Sequence, residues 1–150
     1  MSNQEKLYTV LNQTVADLSQ TSALIHQVHW YMKGKGFLYL HPLMDTLRAD
    51  IEELTDEFAE RLITIGGSPV STLAEFAEIS EVHLQPTKWG VPTKSRLSEL
   101  VEAYTYLSTL LKRGVAISQE CDDVATEDLY TGALREVEKT LWMLNSEVAE

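Results

Sequence analysis

HPLMDTLRADIEELTDEFAERLITI, residues 41–65, decides how this chain is read. Its apolar residues Leu43, Leu47, Ile51, Leu54, Phe58, Leu62 and Ile65 recur every three or four positions, the period of an amphipathic helix that buries one stripe. At about 100° per residue, His41, Asp45, Asp56 and Glu60 fall in one sector roughly 100° wide, nearly opposite that stripe. Along the axis, Asp45 and Asp56 lie roughly 16 Å apart and His41 and Glu60 about 30 Å apart. One ion cannot touch both pairs in one chain. Two such helices packed antiparallel about a two-fold axis would instead set the His41/Asp45 end of one beside the Asp56/Glu60 end of the other, giving two identical sites per dimer. The competing reading is a plain solvated face. Ala49, Ala59 and Ile63 in the same sector speak for an interface, because small and apolar residues are unremarkable there and less expected on a purely wet face.

The segment before it adds a fifth residue. His29 continues the repeat of Leu7, Leu11, Thr14, Leu18, Ser22 and Ile25 and is expected to face inward, either as a satisfied core histidine or as a further ligand. Four long helices follow from the periodicity, so the chain reads as all-α. The first spans about Gln4 to Lys33 and stops at Gly34-Lys35-Gly36. The second follows at once, with Pro42 expected in its first turn, where a missing N–H costs little. Gly66-Gly67-Ser68-Pro69 ends it. A long connection to Pro92 holds a short helix near Leu73 to Ile79. Helix three runs from about Thr93 to Glu120, with Leu97, Leu100, Val101, Tyr104, Leu107, Leu111 and Val115 inward. Helix four runs from about Thr126 to Val148, with Leu129, Ala133, Val137, Leu141 and Leu144 inward. Two hairpins joined by one long crossover describe a ferritin-like four-helix bundle rather than an up-down-up-down one.

Length and composition narrow the function. A chain of 150 residues that is 44% hydrophobic makes one domain, residues 1–150, with a substantial core. No run of about 18 apolar residues offers a membrane span, and Met1 to Lys6 lacks signal-peptide character, so a cytoplasmic protein is expected. The single cysteine, Cys121, reads as a structural or incidental thiol. Twelve basic against 23 acidic residues leave a formal charge of −11, which opposes contact with nucleic-acid phosphates and favours cations.

The stretch His29-Trp30-Tyr31-Met32-Lys33-Gly34, then Phe37, Leu40-His41, Asp45, Asp56, Ala59-Glu60-Arg61-Leu62 and Gly66-Gly67 resembles the signature of the Dps family, the DNA-binding proteins from starved cells. The crossover helix and Leu141-Trp142-Met143-Leu144 extend the resemblance over almost the whole chain. It implies a hollow homododecamer with a ferroxidase centre at each dimer interface, where His29, His41 and Asp45 of one subunit meet Asp56 and Glu60 of its two-fold mate. Hydrogen peroxide would be the preferred oxidant of Fe(II), with O₂ slower. Glu60 and Asp56 would hold the tighter of two irons, and zinc would compete for the donors. Glutamate and histidine three residues apart, the pair of the ferritin site inside one bundle, do not occur on helices three and four.

Further residues carry two readings each. Trp30 is either a trap for stray oxidising equivalents or an ordinary buried aromatic. Asp122, Asp123, Glu127 and Asp128 lie where the resemblance puts an iron-entry pore, Asp123 and Asp128 being favoured. Helix N-termini attract acids for their own stability as well. Thr46, Asp50, Glu53 and Glu57 form a strip that nucleates mineral or is merely solvated. His26 stands outside the ligand pattern, His83 has no assigned role, and Trp89 is expected to pack.

The alternative function is non-enzymatic DNA compaction. Lys6 is the only lysine or arginine before residue 33, and a dodecamer would carry a formal charge of roughly −130, so direct DNA binding is not expected without a bridging cation.

Overall fold

The structure, a computed structural model, describes residues 1–149. Helix α1 (Asn3–Tyr31) leads through a two-residue strand, β1 (Met32–Lys33), to α2 (Phe37–Thr64). The crossover carries the short helix α3 (Leu73–Ile79) and ends in β2 (Val91–Pro92), and α4 (Thr93–Glu120) and α5 (Val124–Val148) complete the chain. This is an all-α, ferritin-like bundle of two hairpins, with α1 packed on both α2 and α4.

Local chemistry explains the helix ends. Ser2 and Glu5 form a reciprocal capping box, in which the Glu5 N–H donates to Ser2 Oγ at 3.1 Å and the Ser2 N–H to Glu5 Oε2 at 2.6 Å. Thr72 and Glu75 repeat it on α3. At the α1–α2 bend Gly36 has φ +86°, where a side chain would be strained and its Cβ would sit 2.8 Å from Leu40. Helix α1 ends at Tyr31 rather than Lys33, because Met32 and Lys33 pair in parallel with Val91 and Pro92. Pro42 is the sixth residue of α2, beyond the first turn, so its missing N–H does remove a helical hydrogen bond, the one that Leu38 would accept. Leu38 is exposed, and solvent reaches that turn.

The inner face of α5 is rotated from its expected setting. Tyr130, not Leu129, is fully buried, and Leu141 is only half-buried. The Tyr130 ring lies 4.7 Å from Phe58 of α2, its hydroxyl is 2.8 Å from Thr14 Oγ1 of α1, and it covers Gly114 of α4. A Cβ on Gly114 would fall 2.2 Å from the ring, so this glycine is what admits the tyrosine. Four helices therefore meet on one aromatic side chain.

The crossover is pinned to α1 by Asp17, which is wholly buried. Its carboxylate accepts from Ser80 Oγ at 2.7 Å, the Glu81 N–H at 2.8 Å, Tyr106 Oη at 2.6 Å and Gln13 Nε2 at 3.0 Å. Burial first, and then the bond to Asp17, push the Tyr106 phenol well above its ordinary range, so it stays protonated and donates.

Candidate metal centre

The end of α1 and the start of α2 lie side by side, and each supplies a histidine held by the other's backbone. His29 Nδ1 is 2.7 Å from the carbonyl of His41, and His41 Nδ1 is 2.9 Å from the carbonyl of His29. A carbonyl only accepts, so both rings carry a proton on Nδ1, and in the neutral imidazole the Nε2 lone pair is left free. This is the arrangement in which backbone carbonyls orient metal-binding histidines. The carbonyl of His29, in the last turn of α1, is also one that a helix end leaves without an N–H partner, so His41 caps α1. The two rings stack at 3.8 Å and 12°, and Phe37 stacks on the outer side of His41 at 4.8 Å.

His29 Nε2 is 3.7 Å from Asp45 Oδ1. The structure thus brings His29, His41 and Asp45 to one place on the surface. Both histidines are half-buried, so His29 is not the fully inward residue that the repeat suggested. Asp56 and Glu60 stand apart, farther along the same exposed face of α2, and their carboxylates make no hydrogen bond or ion pair among the described residues. Among those residues no three histidine, cysteine, aspartate or glutamate side chains form a group able to hold a metal ion within one chain. Between the two sets, Ala49 and Ile63 are exposed and Ala59 is half-buried.

Trp30 is 56% exposed, which removes the buried-aromatic reading. It stacks on His26, four residues earlier on the same helix face, at 4.4 Å. Burial, followed by the neighbouring charges of Arg48 and His29, lowers the His26 pKa from its ordinary value. Trp89 does not pack into the core either. It is exposed, with the Lys33 ammonium 5.0 Å from its ring centroid.

The two acids at the α5 end have different situations. Asp123 caps α5, accepting from the Thr126 N–H at 3.0 Å and Thr126 Oγ1 at 2.6 Å, and pairs with Arg61 at 2.9 Å. Burial pushes its carboxyl up, but the Thr126 bonds and Arg61 together outweigh that and hold it below its ordinary value. The capping role weighed for it is therefore real, whereas Asp128 is exposed and faces the groove between α2 and α5. Asp50, Glu53 and Glu57 line the same groove. The Glu57 carboxyl is raised by burial first and then by Glu53, Glu136 and Asp56. Cys121 is half-buried, with its thiol 3.4 Å from the carbonyl of Asn3. His83 is exposed on the crossover.

No helix among the described residues is long and apolar enough to cross a membrane. The sequence matches the ferritin-like domain family over residues 8–150. It is 43% identical to the DNA protection during starvation protein of Streptococcus suis over 141 residues, covering 94% of this chain and 82% of the relative. The crystal structure of Dps from Staphylococcus aureus superposes with a TM-score of 0.94 at 33% identity, covering 100% of this chain and 99% of the other. Dps from Listeria innocua, in crystals soaked with zinc, gives a TM-score of 0.91 at 36% identity, covering 95% of each chain.

Proposed function

This chain belongs to the ferritin-like family, in the branch of the Dps proteins, and from that premise we propose that it is an iron-storing mini-ferritin that oxidises Fe(II) at sites shared between subunits. His29, His41 and Asp45 of one subunit and Asp56 and Glu60 of the partner subunit form each site, and six dimers close into a hollow dodecamer. The single observation that carries this reading is the reciprocal histidine pair. Two imidazoles present free Nε2 atoms beside Asp45, on an exposed face where the Asp56 and Glu60 carboxylates have no hydrogen-bond or ion-pair partner among the described residues.

The donor set fits iron as substrate. Imidazole nitrogen and carboxylate oxygen bind Fe(II) and leave positions open for an oxidant. Asp56 and Glu60 hold the tighter iron, and the histidines with Asp45 complete the second position. With two irons present, each gives one electron, and hydrogen peroxide takes both with two protons and leaves as two waters. No hydroxyl radical is released. O₂ serves as the slower oxidant. The ferric product is stored within the shell, with Asp128 rather than Asp123 as the acid free to serve iron entry. Trp30, exposed one residue from His29, intercepts stray one-electron oxidation. Zinc competes for the same donors, in line with the zinc soaking of the Listeria protein.

The test is anaerobic Fe(II) loading followed by stoichiometric hydrogen peroxide, comparing the native protein with Asp56→Ala/Glu60→Ala while light scattering reports assembly. Rapid oxidation lost in an intact mutant shell supports the shared site. Equal rates would make the cluster structural. Protection of DNA on this reading is chemical and needs no contact. The charge of −11 per chain opposes binding, and a gel shift of DNA in EDTA would overturn that part.

A further inference from the structure

Three contacts fix the ring of His41. Its Nδ1 donates to the carbonyl of His29 at 2.9 Å, the His29 ring stacks on it at 3.8 Å and 12°, and the Phe37 ring stacks on it at 4.8 Å and 23°. Two rings lying that close and that nearly parallel to a third cannot share one face of it. The imidazole of His41 is therefore held between His29 on one side and Phe37 on the other.

The first two contacts come from α1, and the third comes from α2 itself. Phe37 opens that helix four residues before His41, so the two side chains stand one above the other on one face. Its own position is set by its neighbours. Gly36, in the left-handed region at φ +86°, turns the chain into α2 just before it, and the half-buried Phe37 ring packs against the core. The wall is thus anchored in the fold.

Each contact opposes a different motion of the imidazole. Rotation about the Cβ–Cγ bond breaks the Nδ1 bond that selects the tautomer, and His29 blocks a swing towards α1. A swing the other way needs the space that Phe37 fills. Without Phe37 one face would be open, and the ring could leave the His29 carbonyl.

We propose that Phe37 is a positioning residue for the shared iron site, holding His41 with Nδ1 on the His29 carbonyl and Nε2 free before any metal arrives. This rests on the reading of that site given above. Phe37 touches no metal itself. Its contribution is that the ring is already ordered when an ion binds, so the ordering cost is not met at that moment.

The test uses the assembled, metal-free protein with ¹⁵N-labelled histidine, sedimented for solid-state NMR at mildly alkaline pH, where imidazoles are neutral. The imidazole nitrogen shifts report the tautomer, and loss of the His41 signal in His41→Ala identifies it. In the native protein His41 should be in the Nδ1–H form. Phe37→Ala should convert it to a mixture with the Nε2–H form, and Phe37→Tyr, which keeps a flat ring, should restore it. Phe37→Leu, which keeps apolar bulk against the core, carries the same test if alanine disturbs assembly. Calorimetric titration with zinc gives the second readout, in which Phe37→Ala should bind about tenfold more weakly and Phe37→Tyr as the native protein does. An unchanged His41 tautomer in both Phe37→Ala and Phe37→Leu would overturn the proposal. So would unchanged zinc affinity in those variants where His41→Ala lowers it. Zinc affinity that His41→Ala leaves unaltered would instead overturn the shared-site reading, and the tautomer then decides for or against Phe37 by itself.

Discussion

Asp17, midway along α1, is wholly buried and takes four hydrogen bonds from its own chain, whereas the carboxylates of Asp56 and Glu60 stand exposed on α2 and take none among the described residues. The first carboxylate is finished by folding. The other two are not, and they share a helix face with Asp45, which lies 3.7 Å from His29. A protomer therefore separates acids that hold it together from acids that its described residues leave exposed and unbonded, the ones assigned above to the proposed shared site. Burial and hydrogen bonding make the separation visible where residue type does not.

The comparison is broken most forcefully at Asp17. Its replacement by alanine leaves the half-buried Tyr106 hydroxyl and the Glu81 N–H without their acceptor and the buried Ser80 hydroxyl with only the Val82 carbonyl at 3.4 Å, and should destabilise the fold by about 3–5 kcal/mol, read as a large fall in melting temperature. A change under about 1 kcal/mol would mean that water replaces the carboxylate and that the crossover is not anchored there.

Asp56→Ala/Glu60→Ala should behave oppositely. Peroxide-driven iron oxidation should fall about a hundredfold, equivalent to roughly 2.7 kcal/mol in the barrier. In the same double variant the stability of the protomer should move by no more than about 0.5 kcal/mol per site, since no described residue hydrogen-bonds or pairs with either carboxylate. A loss of stability comparable with that of the Asp17 variant would abolish the distinction.

Asp123 supplies the intermediate case and the smallest effect. Asp123→Ala should cost about 1–2 kcal/mol at neutral pH through loss of the α5 cap and the Arg61 pair. The folded pKa lies below the ordinary 3.8, so the unfolded state binds the extra proton and this contribution is present above that value. It is lost as pH falls through the folded pKa. Denaturation of the two proteins should converge in strong acid, and a gap that persisted there would remove the charge from the explanation.

What the sequence disclosed follows from period and punctuation. The bounds of α3 and α4, the two hairpins and the long crossover were all legible, because apolar repeats and Gly-Pro breaks mark them directly. The meeting of His29, His41 and Asp45 was half legible. Spacing put His41 and Asp45 on one turn-separated face, but the reciprocal imidazole-to-carbonyl bonds depend on how two helix ends abut, which no local pattern encodes. Asp17 escaped notice because a lone acid inside an apolar stripe looks like an interruption. Its position three residues after the buried Thr14 was the available signal. Tyr130 was missed because the neighbouring Leu129 satisfies nearly the same repeat, and only the absence of a side chain at Gly114 decides between them. Trp89 falls outside the core although packing was expected of it, and the exposure of Trp30 removes one of its two readings. Phe37, which stacks on His41, was quoted for resemblance without a role.

The smallest element has a consequence for the order in which the chain assembles. β1 and β2 join Met32 to Val91, about 60 positions apart, through a single parallel pairing. Such a contact gives little enthalpy for the chain freedom it removes, so loop-closure entropy predicts that it closes after the α1–α2 hairpin, which forms from nearby contacts. The strap is then a late latch. On that order the reciprocal histidine bonds belong to the early hairpin, and the crossover strap at Met32 and Lys33 is added beside them afterwards.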